Sequence, residues 1–157
     1  MTTAVGKTLA TFFGAGYWPK GPGTAGSIAA VLVAWALHTY AGWDQLAFMV
    51  LGILSMAPAI WASEVTARSL GAKDPQIVVV DEVVGQWITL SAAAHYEGAW
   101  PWVIGLVLFR VFDIVKPWPV RQLEAVKPAG AGIVLDDVMA GVYGAAVLAL
   151  LGWFKLY

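Results

Sequence analysis

Five stretches of this chain contain no Asp, Glu, Lys or Arg: residues 21–43, 45–63, 83–96, 98–109 and 138–154. Nothing else in the sequence constrains its folding as much. A membrane-spanning helix needs about 20 mainly apolar residues, within a range of roughly 17–25. The first, second and fifth stretches meet or nearly meet that length. The third and fourth are short; they span only if flanking charged residues enter the interface, or they form one buried helical hairpin around Glu97-Gly98. The expectation is an all-α polytopic membrane bundle of about five membrane-embedded helices, forming a single domain over residues 1–157. Residues 1–21, MTTAVGKTLATFFGAGYWPKG, read as an interfacial helix near Val5–Phe13 rather than a cleavable signal peptide.

Composition agrees. Hydrophobic residues make up 60% of the chain and charged residues 12%, against about 25% charged in a soluble domain. A formal net charge of −1 offers no basis for binding nucleic acid. With no cysteine, disulfides, thiolate metal sites and cysteine nucleophiles are excluded. The cations set an orientation. If the N-terminus is cytoplasmic, Lys7, Lys20, Arg68, Lys73, Arg110, Lys116, Arg121 and Lys127 fall on that side and Lys155 falls outside. Tyr40, Trp43, Tyr96, Trp100, Trp102, Trp153 and Tyr157 then form an aromatic belt at the outer face. The reading is a multi-pass protein of a bacterial inner membrane.

The same orientation sorts the acids. Glu64, Asp74, Asp81, Glu82, Asp113, Glu124, Asp136 and Asp137 gather on the cytoplasmic side, and only Asp44 and Glu97 do not. Two segments, VVVDEVVGQW (78–87) and GIVLDDVMAG (132–141), each set an acid pair in apolar text. Asp81-Glu82 is expected to begin the third helix, Asp113 to lie at the end of the fourth, and Asp136-Asp137 to begin the fifth. Acids at helix starts are favoured by the macrodipole, which is the plain structural reading of each pair. Crowded carboxylates in a partly dehydrated place, however, repel unless they protonate or share a cation. Hard oxygen ligands suit Mg²⁺. His38 and His95 lie in the outer half and are poor ligand candidates.

Two further segments suit phosphate. In LFRVFDIVKPWPV (108–120), Arg110, Asp113 and Lys116 recur every third residue along one helix face, either as a salt-bridge ladder or as part of a site. In WPKGPGTAGSIAAV (18–31), Gly21, Gly23 and Gly26 permit close backbone approach, Thr24 and Ser27 can cap a helix, and Lys20 stands beside them. By itself that loop reads first as a plain turn plus N-cap, and Lys20 beside it adds weight to the functional reading. Glu64 and Arg68, four apart, form an ion pair or lend one more acid to the site. Together these features describe a metal-bound phosphate, supplied by a lipid, at headgroup depth.

PKGPGTAGS (19–27), VDEVVGQW (80–87), RVFDIVKPWPV (110–120) and GIVLDDVMAG (132–141) together resemble the phosphatidylglycerophosphatase A family, in family order and across nearly the whole chain. The resemblance implies Mg²⁺-dependent removal of the terminal phosphate of phosphatidylglycerophosphate, giving phosphatidylglycerol. It points to Lys20, Thr24, Asp81, Glu82, Arg110, Asp113, Lys116, Asp136 and Asp137. On this basis Asp81, Glu82, Asp136 and Asp137 are the expected Mg²⁺ ligands, with Glu64 a further candidate. Asp113 joins them or serves as general base, while Lys20, Thr24, Arg110 and Lys116 hold the phosphate. The DxDx[TV] signature of aspartyl-phosphate enzymes and the spacing of CDP-alcohol transferases are absent. The contrasting reading, a small cation transporter, expects acids near the bilayer midplane instead. Substrate and membrane lipids are the expected partners; the oligomeric state stays open.

Overall fold

The computed structural model describes residues 2–157. It is all-helical among them, with seven α-helices and a short 3₁₀ turn at Ala15–Tyr17. The helices are α1 (Thr2–Ala10), α2 (Pro22–Ala41), α3 (Gln45–Leu70), α4 (Val80–Leu90), α5 (Trp100–Val115), α6 (Val120–Leu123) and α7 (Ala129–Trp153). Local chemistry explains several boundaries. Asp44 caps α3 by accepting the Ala47 N–H at 2.9 Å, a preferred N-cap arrangement. Gly42 and Gly71, both left-handed, end α2 and α3.

Three helices, α2, α3 and α7, are long and apolar enough to cross a membrane. This corrects the expected five. The 11 residues of α4 and the 16 of α5 extend only about 16 and 24 Å at 1.5 Å per residue, short of a hydrocarbon core of about 30 Å. The reason lies in packing. Helix α4 is the hub of the bundle, packed against α7, α3, α2 and α5, so its apolar residues face protein on nearly every side. Val83, Val84, Trp87 and Leu90 are all buried. Helix α5 keeps an outward apolar row, Val103, Val107, Val111 and Ile114, spaced three to four residues apart.

Two further expectations shift. Helix α1 forms, but it stops at Ala10 instead of Phe13. Phe12, Phe13 and Gly14 take positive φ there, turning Phe12 edge-on against Trp87. Tyr96 and Trp102, assigned to the outer aromatic belt, stack on each other at 4.9 Å inside the core cluster that also holds Phe48. Tyr40, Trp100 and Trp153 do remain outward.

Candidate active site

Helices α4 and α7 approach each other more closely than ordinary side chains allow. A Cβ on Gly141 would lie 2.5 Å from the carbonyl oxygen of Gly85. The Thr89 hydroxyl reaches both the Gly85 and the Gly141 carbonyls at 3.1 Å. Asp81 stands four residues before Gly85, and Asp137 four before Gly141. Residues four apart share a helix face, so the glycine crossing carries both acids to one level, a turn above it.

There one carboxylate oxygen each from Asp81, Glu82 and Asp137 lies within 4.8 Å of the others. Asp81 Oδ1, Glu82 Oε2 and Asp137 Oδ2 are buried without a hydrogen-bond partner. Two like charges at such a separation repel by about 3–4 kcal/mol at an effective dielectric of about 20, and three acids form three such pairs. An arrangement of this kind fits a metal ion: hard oxygen donors, unmet by protein, converge on one point.

Asp136 behaves differently from its neighbour. Its Oδ2 accepts from Lys116 Nζ at 2.7 Å and its Oδ1 from the Asp137 N–H at 3.0 Å. Lys116 caps α5 in a left-handed conformation and also donates to Glu124. Burial alone draws the ammonium's pKa down, but the bonds to Asp136 and Glu124 outweigh it and hold the pKa above its ordinary value. Lys116 therefore stays charged.

Arg110 donates to Asp113 and lies 3.8 Å from Glu82 Oε1. The first turn of α2 closes this junction, because a Cβ on Gly23 would run into Glu82 Oε1 and come within 3.2 Å of Arg110 Nη1. Asp81, Glu82, Arg110, Asp113, Lys116, Asp136 and Asp137 all line a single open cavity of about 510 Å³, together with Gly21, Pro22 and Gly23.

Other sequence expectations resolve less simply. Asp136-Asp137 does not begin its helix. Helix α7 starts at Ala129, behind Pro128, because the small residues of AGAGIVL continue the helix backwards from the acids. Dipole stabilisation fades beyond the first turn, so it does not account for this pair. Lys20 and Thr24 are exposed and do not line the cavity. Thr24 and Ser27 do not cap α2 either: left-handed Gly21 occupies the N-cap with Pro22 behind it, and the Ser27 hydroxyl bonds the Gly23 carbonyl instead. Glu64 lies outside the cavity. It pairs with Arg68 at 2.5 Å and accepts the Gly130 N–H at 2.7 Å, fastening the first turn of α7.

Four polar or charged side chains of the cavity are not assigned to the site by the sequence: Lys73, Asp74, Gln76 and Glu124. Burial and the nearby Glu124 and Asp113 raise the Asp74 pKa, against the pull of Lys116 and Lys73. Its place among the cytoplasmic acids was the only signal. His38 and His95 bond the Trp43 and Tyr157 carbonyls, away from the cavity.

A family model described as phosphatidylglycerophosphatase A matches residues 8–152. The chain is 39% identical over 145 residues to phosphatidylglycerophosphatase A of Escherichia coli, covering 92% of this chain and 81% of that protein. It is 32% identical over 149 residues to phosphatidylglycerophosphatase A of Haemophilus influenzae, covering 94% and 89% respectively. A Bacteroides thetaiotaomicron protein provisionally named a phosphatidylinositol-3-phosphatase is 40% identical over 152 residues, 92% of each chain. No solved structure matches significantly. The correspondence runs from the first helix to the last, and the chain belongs to the phosphatidylglycerophosphatase A family, a family of phosphatases.

Proposed function

We propose that this chain is a Mg²⁺-dependent lipid phosphatase that converts phosphatidylglycerophosphate to phosphatidylglycerol and inorganic phosphate. The observation that carries the reading is the unpartnered trio of Asp81, Glu82 and Asp137 beside Arg110 and Lys116 in one cavity. Asp81, Glu82 and Asp137 would hold the ion, with Asp136 contributing from the Lys116 side. Bound Mg²⁺ supplies charge neutralisation at the phosphoryl oxygens and lowers the pKa of a coordinated water. Arg110, Lys116 and the backbone of the first α2 turn bind and orient the phosphate. Lys20 and Thr24 flank the lining residues Gly21, Pro22 and Gly23 and would meet the phosphate only from the rim. Asp113, held by Arg110, is the candidate base that accepts the water's proton.

The apolar outer faces of α2, α3 and α7 support a membrane setting, with Leu32, Ile53, Leu54 and Leu150 all turned outward. The cavity opens at the cytoplasmic end of an inner-membrane bundle, and the acyl chains remain in lipid while the headgroup enters. The acids gather at the end where α2 and α4 begin and α5 finishes. That placement favours surface chemistry over a transport pathway.

Phosphate release from phosphatidylglycerophosphate by the purified protein in detergent tests this, with Mg²⁺ or with EDTA. Activity unaffected by EDTA overturns the metal assignment, and no release under any divalent ion overturns the phosphatase reading. Phosphatidylinositol 3-phosphate belongs in the same assay, given the Bacteroides relative's name. Faster release from it would replace the proposed substrate.

A further inference from the structure

Gln86 is fully buried, and neither its Nε2 nor its Oε1 has a hydrogen-bond partner. It follows Glu82 by four residues on α4 and so shares its face. Helical side chains lean toward the N-terminus of their helix, which for α4 is the end that carries Asp81 and Glu82. The other large buried positions of this helix are held by Val83, Val84, Trp87 and Leu90. A carboxamide among them carries a desolvation cost that an apolar side chain of equal volume would avoid.

Unmet groups recur at the level above. Glu82 Oε2 is an acceptor without a donor, and Arg110 Nε is a donor without an acceptor. Arg110 Nη1 lies 3.8 Å from the other Glu82 oxygen, and the Gly23 backbone bounds the same carboxylate on a further side. Glu82 is thus confined laterally by α2 and α5, and Gln86 is the polar group one turn beneath it.

We propose that Gln86 is a positioning residue for the metal site. Its carboxamide N–H donates through one buried water to the Glu82 carboxylate and fixes which oxygen Glu82 presents to Asp81 and Asp137. The inference rests on the reading that this acid trio holds a divalent ion. Ligating carboxylates are themselves hydrogen-bonded, and losing such a partner weakens metal affinity about 10–100-fold. Gln86 touches neither substrate nor ion; it acts through Glu82.

Binding of Mn²⁺ alone to EDTA-stripped protein in detergent, followed by electron paramagnetic resonance, tests this without turnover. Gln86→Met, close in volume but unable to hydrogen-bond, is expected to bind Mn²⁺ about 10–100-fold more weakly, with its melting temperature in EDTA equal to or above wild type. In a Glu82→Gln background the same change should weaken binding no further. Wild-type affinity in a folded Gln86→Met protein overturns the inference, as does full additivity with Glu82→Gln. Gln86→Leu serves as the second apolar variant, and failure of both to fold would assign the carboxamide to the fold and overturn the inference too. Absence of Mn²⁺ binding by the wild type would instead overturn the metal reading beneath it.

Discussion

Asp137 and Asp81 each leave an oxygen unpartnered within a cluster of like charge, so their removal has opposite effects on stability and on chemistry. Asp81→Asn and Asp137→Asn should each lower phosphatase activity by about 100-fold or more, since each would delete a charged ligand of the proposed ion. In EDTA the same variants should melt no lower than wild type, because one source of repulsion is gone. Mg²⁺ should raise the melting temperature of the wild type, and by less in both variants. A variant that melts well below wild type in EDTA would show the acids acting as structure. Gly23 makes a second case. Gly23→Ala sets a methyl group against Glu82 and Arg110 in the first turn of α2, where alanine itself is helix-compatible. A fall of about 10-fold or more in kcat/KM with little change in melting temperature is expected; unchanged kinetics would mean that Glu82 moves aside freely. Acids in apolar text announced themselves in the sequence because burying charge is expensive wherever it occurs. The Lys116–Glu124 pair and the bond from Gly130 to Glu64 did not. The first depends on how the ends of α5 and α6 meet and the second on how α3 meets α7, and no local pattern encodes either.

Element by element, legibility followed punctuation. Asp44 separates α2 from α3 in the sequence as in the structure, whereas α3 runs on to Leu70 and its cap Gly71, past the charge-free stretch that ends at residue 63. Helix α7 has no such mark beyond Pro128, and its small residues carry the helix back past the acids expected to begin it. Their smallness has a purpose that appears only in the tertiary structure: Gly130 fits against the Ile60 carbonyl and Gly141 against that of Gly85. Small residues let helix backbones approach where apolar solvation alone gives little drive to associate. Gly141→Ala therefore tests the element scale. Its methyl would stand 2.5 Å from the Gly85 oxygen, and overpacking of this sort typically costs about 1–3 kcal/mol. Moving α7 away also separates Asp137 from Asp81, so Mn²⁺ affinity and melting temperature in detergent should fall together. Loss of stability with intact metal affinity would show that the crossing does not set the acid geometry. The short α4 follows the same logic. Its apolar residues were legible as an embedded helix, but a short apolar run does not by itself say whether it faces lipid or protein.

For the whole molecule, the directional claim is that the cavity faces the cytoplasm. Lys73 stands exposed at the cavity, while Lys155 is exposed just beyond the far end of α7. The 25 residues of that helix cover about 37 Å, enough to separate the two across a hydrocarbon core of about 30 Å. The absence of cysteine makes the chain its own background for thiol labelling. Lys73→Cys and Lys155→Cys would each be treated in intact spheroplasts with a membrane-impermeant maleimide, then again after permeabilisation. The Lys155→Cys protein should label in both conditions and the Lys73→Cys protein only in the second. The reverse pattern would turn the site outward and remove the substrate supply that a cytoplasmic headgroup provides. Equal labelling of both before permeabilisation would overturn the transmembrane arrangement itself, leaving the apolar faces of α2, α3 and α7 to be covered by something other than a spanned bilayer. The cation asymmetry predicts the first outcome for a physical reason: seven lysines and arginines on the cavity side besides Lys73 would each have to cross the bilayer in the inverted orientation.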